Sequence, residues 1–169
     1  MSAESKVESG KGLAVLLDNI RSAWNVGSIL RSADGFGFSH AYLCGITPAA
    51  DNGAVAKTSL GAEQSVRWSY HKDAVRLVAE LKSENWNVYA LEGDQRAVPL
   101  TGVRLARRQE RFHVPNEVLI VGNEVSGVDP ELLDLCDRIF YVPMRGEKKS
   151  FNVAIAFGIA AYALTAEQG

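Results

Sequence analysis

Two short stretches of unbroken hydrophobicity in the last third of the chain, each running into a polar turn and then a helix pattern, constrain the fold more than any other feature. Val118-Leu119-Ile120-Val121 leads into the turn from Gly122 to Pro130, and Arg138-Ile139-Phe140-Tyr141-Val142 leads through Pro143 and Met144 to Ser150-Phe151-Asn152-Val153. Apolar runs this short, bounded by turn residues, fit strands buried on both faces of a helix-covered parallel sheet. Leu13 to Leu17 is a third such run, Ala41 to Cys44 and Asn87 to Leu91 read as further strands, and Val66 to Tyr70 alternates as a short strand does. Between them lie helix patterns. Val26, Ile29, Leu30 and Ala33 form one apolar stripe opened by Asn25 and ended by Gly35 and Gly37. Asp51 to Leu60 reads as a short helix, and Asp73 caps a helix running to about Asn85. Asp129-Pro130-Glu131 is a helix start with proline at its first position, and Asn152 opens a last helix reaching about Glu167. From Glu92 to Asn116 the pattern breaks at Pro99, Gly102 and Pro115. Strands alternating with helices at these lengths predict an α/β fold, a largely parallel sheet with flanking helices.

Composition narrows the class. The 169 residues fit one domain, expected from residue 12 to 169 behind a polar tail at residues 1–11, and a chain of that size buries roughly 70% of its unfolded surface. The 47% hydrophobic and 22% charged content is that of a soluble globular protein. No apolar run approaches the ~20 residues of a membrane span and the tail lacks the apolar centre of a secretory signal, so no membrane partner and a cytoplasmic location are expected. Cys44 and Cys136 stand alone, which suggests buried, inert thiols rather than a disulfide framework. His40, His71 and His113 are scattered without ligand spacing, so no metal site is expected. A net charge of −2 argues against coating nucleic acid through bulk electrostatics. Any such contact must be local, and two clusters offer it: the arginine run from Arg104 to Arg111, and Arg145, Lys148 and Lys149 in the loop before the last helix.

The turn after Val121 looks built for close backbone approach, since Gly122 and Gly127 remove side chains from the path of a flat ligand while Asn123, Glu124 and Ser126 supply polar contacts. Near the start, Asn25-Val26-Gly27-Ser28-Ile29-Leu30-Arg31 places Asn25 as a cap at the helix start and Arg31 facing outward nearly two turns later. Any capped helix with a surface cation shows that spacing, so it gains meaning only in company.

Together the three segments resemble the motifs of the TrmH-like (SpoU) branch of the SPOUT RNA methyltransferases. The match runs residue by residue through Asn25, Gly27, Arg31, Gly122, Asn123, Glu124, Gly127, Ser150, Asn152 and Val153, within a likeness spanning about Leu13 to Leu164. Phe151 stands where leucine is commoner and Val125 where a small residue is usual; neither change touches a polar group. The resemblance implies a SPOUT fold with a C-terminal trefoil knot, the chain from about Val118 threaded so that the final helix passes through a loop. It implies S-adenosylmethionine as cofactor, resting on Leu91, Glu92 and Gly93, then Val121, Gly122 and Asn123, then Val142 and Met144 with Ser150 and Asn152, and with Ile139 and Met144 packed on adenine. It implies transfer to a ribose 2′-hydroxyl of tRNA or rRNA, with Arg31 catalytic, Asn25, Glu124 and Asn152 its partners, and Ser150 beside the substrate. Because a guanidinium stays protonated at working pH, Arg31 is expected to bind RNA phosphate and stabilise the developing alkoxide; the proton acceptor stays open. RNA contacts are expected from Arg31, Arg145, Lys148 and Lys149. A homodimer is expected too, since the last helix is apolar on nearly every face and relatives pair through the knot region and first helix.

Two other classes share α/β architecture or fold. A dinucleotide-dependent oxidoreductase needs G-x-G-x-x-G after the first strand, which is missing, and Gly122 to Gly127 lacks the Lys-Ser/Thr of a P-loop. A catalytically silent RNA- or ribosome-binding module would keep the fold without needing Arg31, Glu124 and Asn152.

Overall fold

The computed structural model describes residues 12–103 and 115–166; the tail, the Arg104 to Arg111 run and His113 lie outside them. In chain order the elements are β1 (Leu13–Asp18), α1 (Ala23–Gly35), β2 (His40–Cys44), α2 (Gly53–Ser59), α3 (Ala62–Ser65), β3 (Arg67–His71), α4 (Ala74–Ser83), β4 (Asn87–Leu91), β5 (Val98–Pro99), β6 (Glu117–Val121), α5 (Pro130–Leu135), β7 (Arg138–Tyr141) and α6 (Val153–Thr165). The strands form one seven-stranded sheet in the order β3-β2-β1-β6-β4-β7-β5, every named pair parallel. Among the described residues no helix is long and apolar enough to cross a membrane.

Successive side chains of a strand point to opposite faces, and both faces here are covered by helices. Val15, Leu17, Leu43, Leu119 and Val121 pack with Ile29 and Leu30 of α1 and Phe157 and Leu164 of α6. Ala14, Leu16, Tyr42, Val118 and Ile120 pack with Leu77 and Leu81 of α4 and Leu132 of α5. That double burial is why β1 and β6 read as unbroken apolar runs.

Capping follows the sequence at Asp73, at Asp129 ahead of Pro130, and at Asn152. It departs at α1. The helix begins at Ala23, and its cap is Ser22, whose hydroxyl accepts from the Asn25 backbone N–H. Asn25 is therefore not the cap; a competent capping serine three residues earlier frees its amide for use elsewhere. Gly27 serves packing, because a Cβ there would overlap the Val55 carbonyl and Thr58 hydroxyl of α2. The two-residue β5 was not visible in the broken pattern after Glu92; its Pro99, which has no N–H to offer a neighbour, sits at the sheet edge where that is tolerated.

Two histidines that looked scattered meet at the opposite edge. The Ser69 hydroxyl lies 2.8 Å from Nε2 of both His40 and His71. Burial, then the neighbouring His71 and Arg67 charges, pushes His40 down to about 4, and burial lowers His71 as well. Cys44 is fully buried as expected and Cys136 only partly so; burial pushes the Cys136 thiol up to about 12 and the Cys44 thiol higher still.

His40 stays neutral in the fold while the unfolded chain takes up a proton below its ordinary 6.5. The stability that neutral His40 supplies is therefore expected to be lost as pH drops from 6.5 to about 4, its contribution levelling off below that, a loss of about 3 kcal/mol. Urea unfolding across that range checks it, and His40→Gln should show a shallower fall than wild type.

Candidate active site

β1 and β6 are adjacent and parallel, with Leu17 opposite Val121, so the loops leaving their C-terminal ends emerge side by side. The loop after β6 closes on itself. Asn123 and Gly127 exchange backbone hydrogen bonds of 3.0 and 2.9 Å, and the Asn123 side-chain oxygen accepts from the N–H groups of Val125 and Ser126 at 2.9 and 3.0 Å. Its amide donates at 2.7 Å to the Asn19 carbonyl in the loop after β1. The glycines serve this closure. A Cβ on Gly122 would overlap the backbone of Gly127 and Val128, and Gly127, at φ +73°, lies against the Glu92 carboxylate. Glu92 in turn accepts from the Val128 N–H at 2.8 Å, strapping the turn to the end of β4. The room that glycine leaves at 122 and 127 is thus filled by the protein rather than by ligand.

Glu124 reaches out of this turn to the start of α1. One carboxylate oxygen accepts from the Arg21 N–H at 3.0 Å; the other accepts from the Ser22 N–H at 3.0 Å and the Asn25 side-chain amide at 3.1 Å. Burial pushes this carboxyl up, but the three donors outweigh burial and hold it below its ordinary range. The Asn25 oxygen accepts from the Asn152 amide at 3.2 Å, while the Asn152 oxygen caps α6 by accepting from Ala154 and Ile155 at 2.9 and 3.3 Å. A chain of three side chains therefore joins the starts of α1 and α6 to the turn after β6.

These turns surround a cavity of about 570 Å³, a size suited to a nucleoside-containing small molecule. Leu91, Glu92 and Gly93 form one wall, Val121, Gly122, Asn123 and Glu124 a second, and Val142, Met144, Lys149, Ser150 and Asn152 a third. Val125, Ser126, Gly127, Tyr141, Phe151, Val153 and Ala156 complete the lining; Ser126 and Gly127 belong to the turn that the sequence marks, whereas Tyr141 and Ala156 carry no signal of a site in the sequence. Ile139 does not line it: its side chain lies in the core beneath α4 and α5, where it is 4% exposed, whereas Met144 is in the lining. Asn25 stands behind the lining and acts on it through Glu124 and Asn152. Arg31 is exposed on α1 and is also outside the lining, as are Arg145 and Lys148; only Lys149 of the basic loop reaches it. Among the described residues no three His, Cys, Asp or Glu side chains converge as metal ligands would.

Glu124→Ala is expected to hand the exposed Arg21 and Ser22 N–H groups to water at a cost of about 0.5–1.5 kcal/mol. Denaturant unfolding measures the loss, and amide exchange should quicken more at Arg21 and Ser22 than within α4.

The comparisons agree with this geometry. The profile of the SpoU rRNA Methylase family matches residues 12–162. The chain is 34% identical over 155 residues to the 23S rRNA (guanosine(2553)-2′-O)-methyltransferase of Bacillus subtilis, covering 89% of this chain and 56% of that protein. It is 30% identical over 156 residues to the tRNA (guanosine(18)-2′-O)-methyltransferase of Aquifex aeolicus, covering 90% of this chain and 68% of that one. The chain thus spans little more than half to two thirds of these relatives' lengths. The solved TrmH/SpoU tRNA modifying enzyme of A. aeolicus superposes with a TM-score of 0.76 at 25% identity, over 91% of this chain and 75% of that one. With the parallel sheet, the three converging turns and a family match running from β1 into α6, this chain belongs to the SpoU rRNA methylase family.

Proposed function

We propose that this chain, a single domain from residue 12 onward, is an S-adenosylmethionine-dependent methyltransferase acting in the cytoplasm on a ribose 2′-hydroxyl of tRNA or rRNA. The observation that carries the reading is the cavity itself, walled by three loop backbones and bounded by the Asn25–Glu124–Asn152 chain. The same reading includes the trefoil threading, supported by β7, which is inserted between β4 and β5 although both precede it in sequence.

When bound, the cofactor supplies an electrophilic methyl group for in-line attack by the hydroxyl. The chain's own contribution is positioning and charge stabilisation. The N-terminal end of α6 opens at the cavity wall, where its dipole favours developing negative charge. Ser150 lines the cavity with a hydroxyl that bonds to nothing among the described residues, so it is available to the substrate ribose. Glu124, already accepting three hydrogen bonds and held below its ordinary range, is a poor base and serves as a positioning residue. Arg31, likewise unpartnered among the described residues, binds RNA phosphate and steadies the alkoxide, with Arg145, Lys148 and Lys149 holding phosphates along the rim. A homodimer belongs to this reading. Ile155, Ile159 and Tyr162 expose apolar surface on α6, and Tyr162 meets Phe36 at the end of α1 edge to face at 6.3 Å.

Calorimetry should show binding of S-adenosylmethionine and its demethylated product, with NAD and ATP far weaker; tighter NAD binding overturns the reading. Arg31→Ala should abolish methyl transfer with cofactor affinity within a few-fold of wild type. Arg31→Lys should lower the rate roughly ten- to a thousand-fold, about 1.4–4 kcal/mol, because lysine keeps the charge but loses the planar fork. Wild-type turnover by Arg31→Lys would remove the assigned role. Light scattering should give a dimer at micromolar concentration.

A further inference from the structure

We propose that Trp24 is a stacking platform for an unpaired nucleobase of the RNA substrate. The proposal rests on the RNA reading above and adds to it the residue that grips a base. Three observations lead there. The first is exposure: Trp24 is 63% exposed, whereas Trp86 is buried with Tyr42 and Leu81 on one side of the sheet and Trp68 packs against the core on the other. Burying a ring this size is worth several times the energy of an ordinary contact, so an indole left open beside a candidate site invites a flat partner.

The second is position. At 3.6 residues per turn, Trp24, Ser28 and Arg31 fall at i, i+4 and i+7 on one stripe of α1, opposite the buried Val26, Ile29, Leu30 and Ala33. Trp24 and Arg31 are therefore about 10 Å apart along the axis. Arg21, also exposed, stands just before the helix. An aromatic ring between two guanidinium groups suits a single strand, whose base stacks while its phosphates pair with the cations.

The third is rigidity and continuity with the site. The Trp24 carbonyl accepts from the Thr58 hydroxyl at 2.9 Å, the Ser22 N–H before it is held by Glu124, and Asn25 after it is bonded to Glu124 and Asn152. The ring is thus mounted on backbone locked to the cavity wall, so little ordering entropy is lost when a base lands on it. The exposed apolar residues Ile155, Ile159 and Tyr162 run along α6 beside α1 and end at Phe36, twelve residues from Trp24 at the far end of α1, so the light-scattering mass of the Trp24 variant separates a base platform from a contact between copies.

Single-stranded oligoadenylate is the probe, with duplex RNA of equal length as control. Wild-type tryptophan emission should quench on oligoadenylate and much less on the duplex. Trp24→Ala should lose that quench and weaken oligoadenylate binding about 5- to 150-fold, the range of one stacked base. Trp24→Phe should restore most of the affinity. S-adenosylmethionine affinity and the light-scattering mass should not move, and in methyl transfer the RNA KM should rise while kcat holds. Wild-type affinity in Trp24→Ala, or failure of the wild type to bind oligoadenylate, overturns the proposal. So does a change in cofactor affinity or mass, which would make Trp24 a structural or dimer residue. If oligoadenylate binds through Trp24 while S-adenosylmethionine does not bind at all, the platform stands and the methyltransferase reading falls.

Discussion

One carboxylate sets the register between the two ends of this chain. Glu124 accepts two backbone N–H groups and a side-chain amide from residues 21 to 25, and that contact fixes where α1 sits against the turn after β6. Without it the N–H groups of Arg21 and Ser22, just ahead of α1, would face water; with it they are satisfied by a residue about a hundred positions away. The parallel pairing of β1 with β6 makes this possible, since both strands deliver their following loops to the same edge. The helix cap at Ser22 matters for the same reason. By taking over the capping role it leaves the Asn25 amide free to bond Glu124 on one side and Asn152 on the other, so a local choice at the start of α1 also positions α6.

The cavity that results is a product of backbone more than of side chains. Glu92 and Asn123 hold the turn from within, through bonds to Val128, Val125 and Ser126, and the two glycines let the loop fold tightly enough for those bonds to form. Such a site depends on the path of the chain. A side chain at the mouth, such as Phe151 in place of the commoner leucine, changes shape locally; an added Cβ at Gly122 would reopen the loop.

Strand and helix order were legible because the central strands are buried on both faces, which leaves a strong signature in Leu13 to Leu17 and Val118 to Val121. The three motifs were legible because glycine, asparagine and serine at those spacings have few other uses. What stayed hidden depended on distance in sequence or on competition between neighbours. Nothing local says that Ser22 outcompetes Asn25 as cap, that Glu92 reaches Val128, or that His40 and His71 share the Ser69 hydroxyl across two strands. Nor does anything local say how deep in the sheet Ile139 lies: its side chain is buried with Leu77, Leu81 and Leu132, while Tyr141 at the end of β7 and Val142 beyond it line the cavity.

The placement of β7 between β4 and β5 has a consequence for how the molecule comes into being. β4 and β5 leave the ribosome within a dozen residues of each other, yet they do not pair: the strand that separates them is made some forty residues later. Until then β4 has an open edge on that side, of the sort that recruits other chains. Vectorial synthesis, which helps most domains settle from the N-terminus forward, here leaves a gap one strand in from the edge of the sheet that only the later β7 can fill. The loop connecting the two waiting strands contributes Glu92 and Gly93 to the cavity wall, so the cavity and the closure of the sheet at β7 are completed by the same late event.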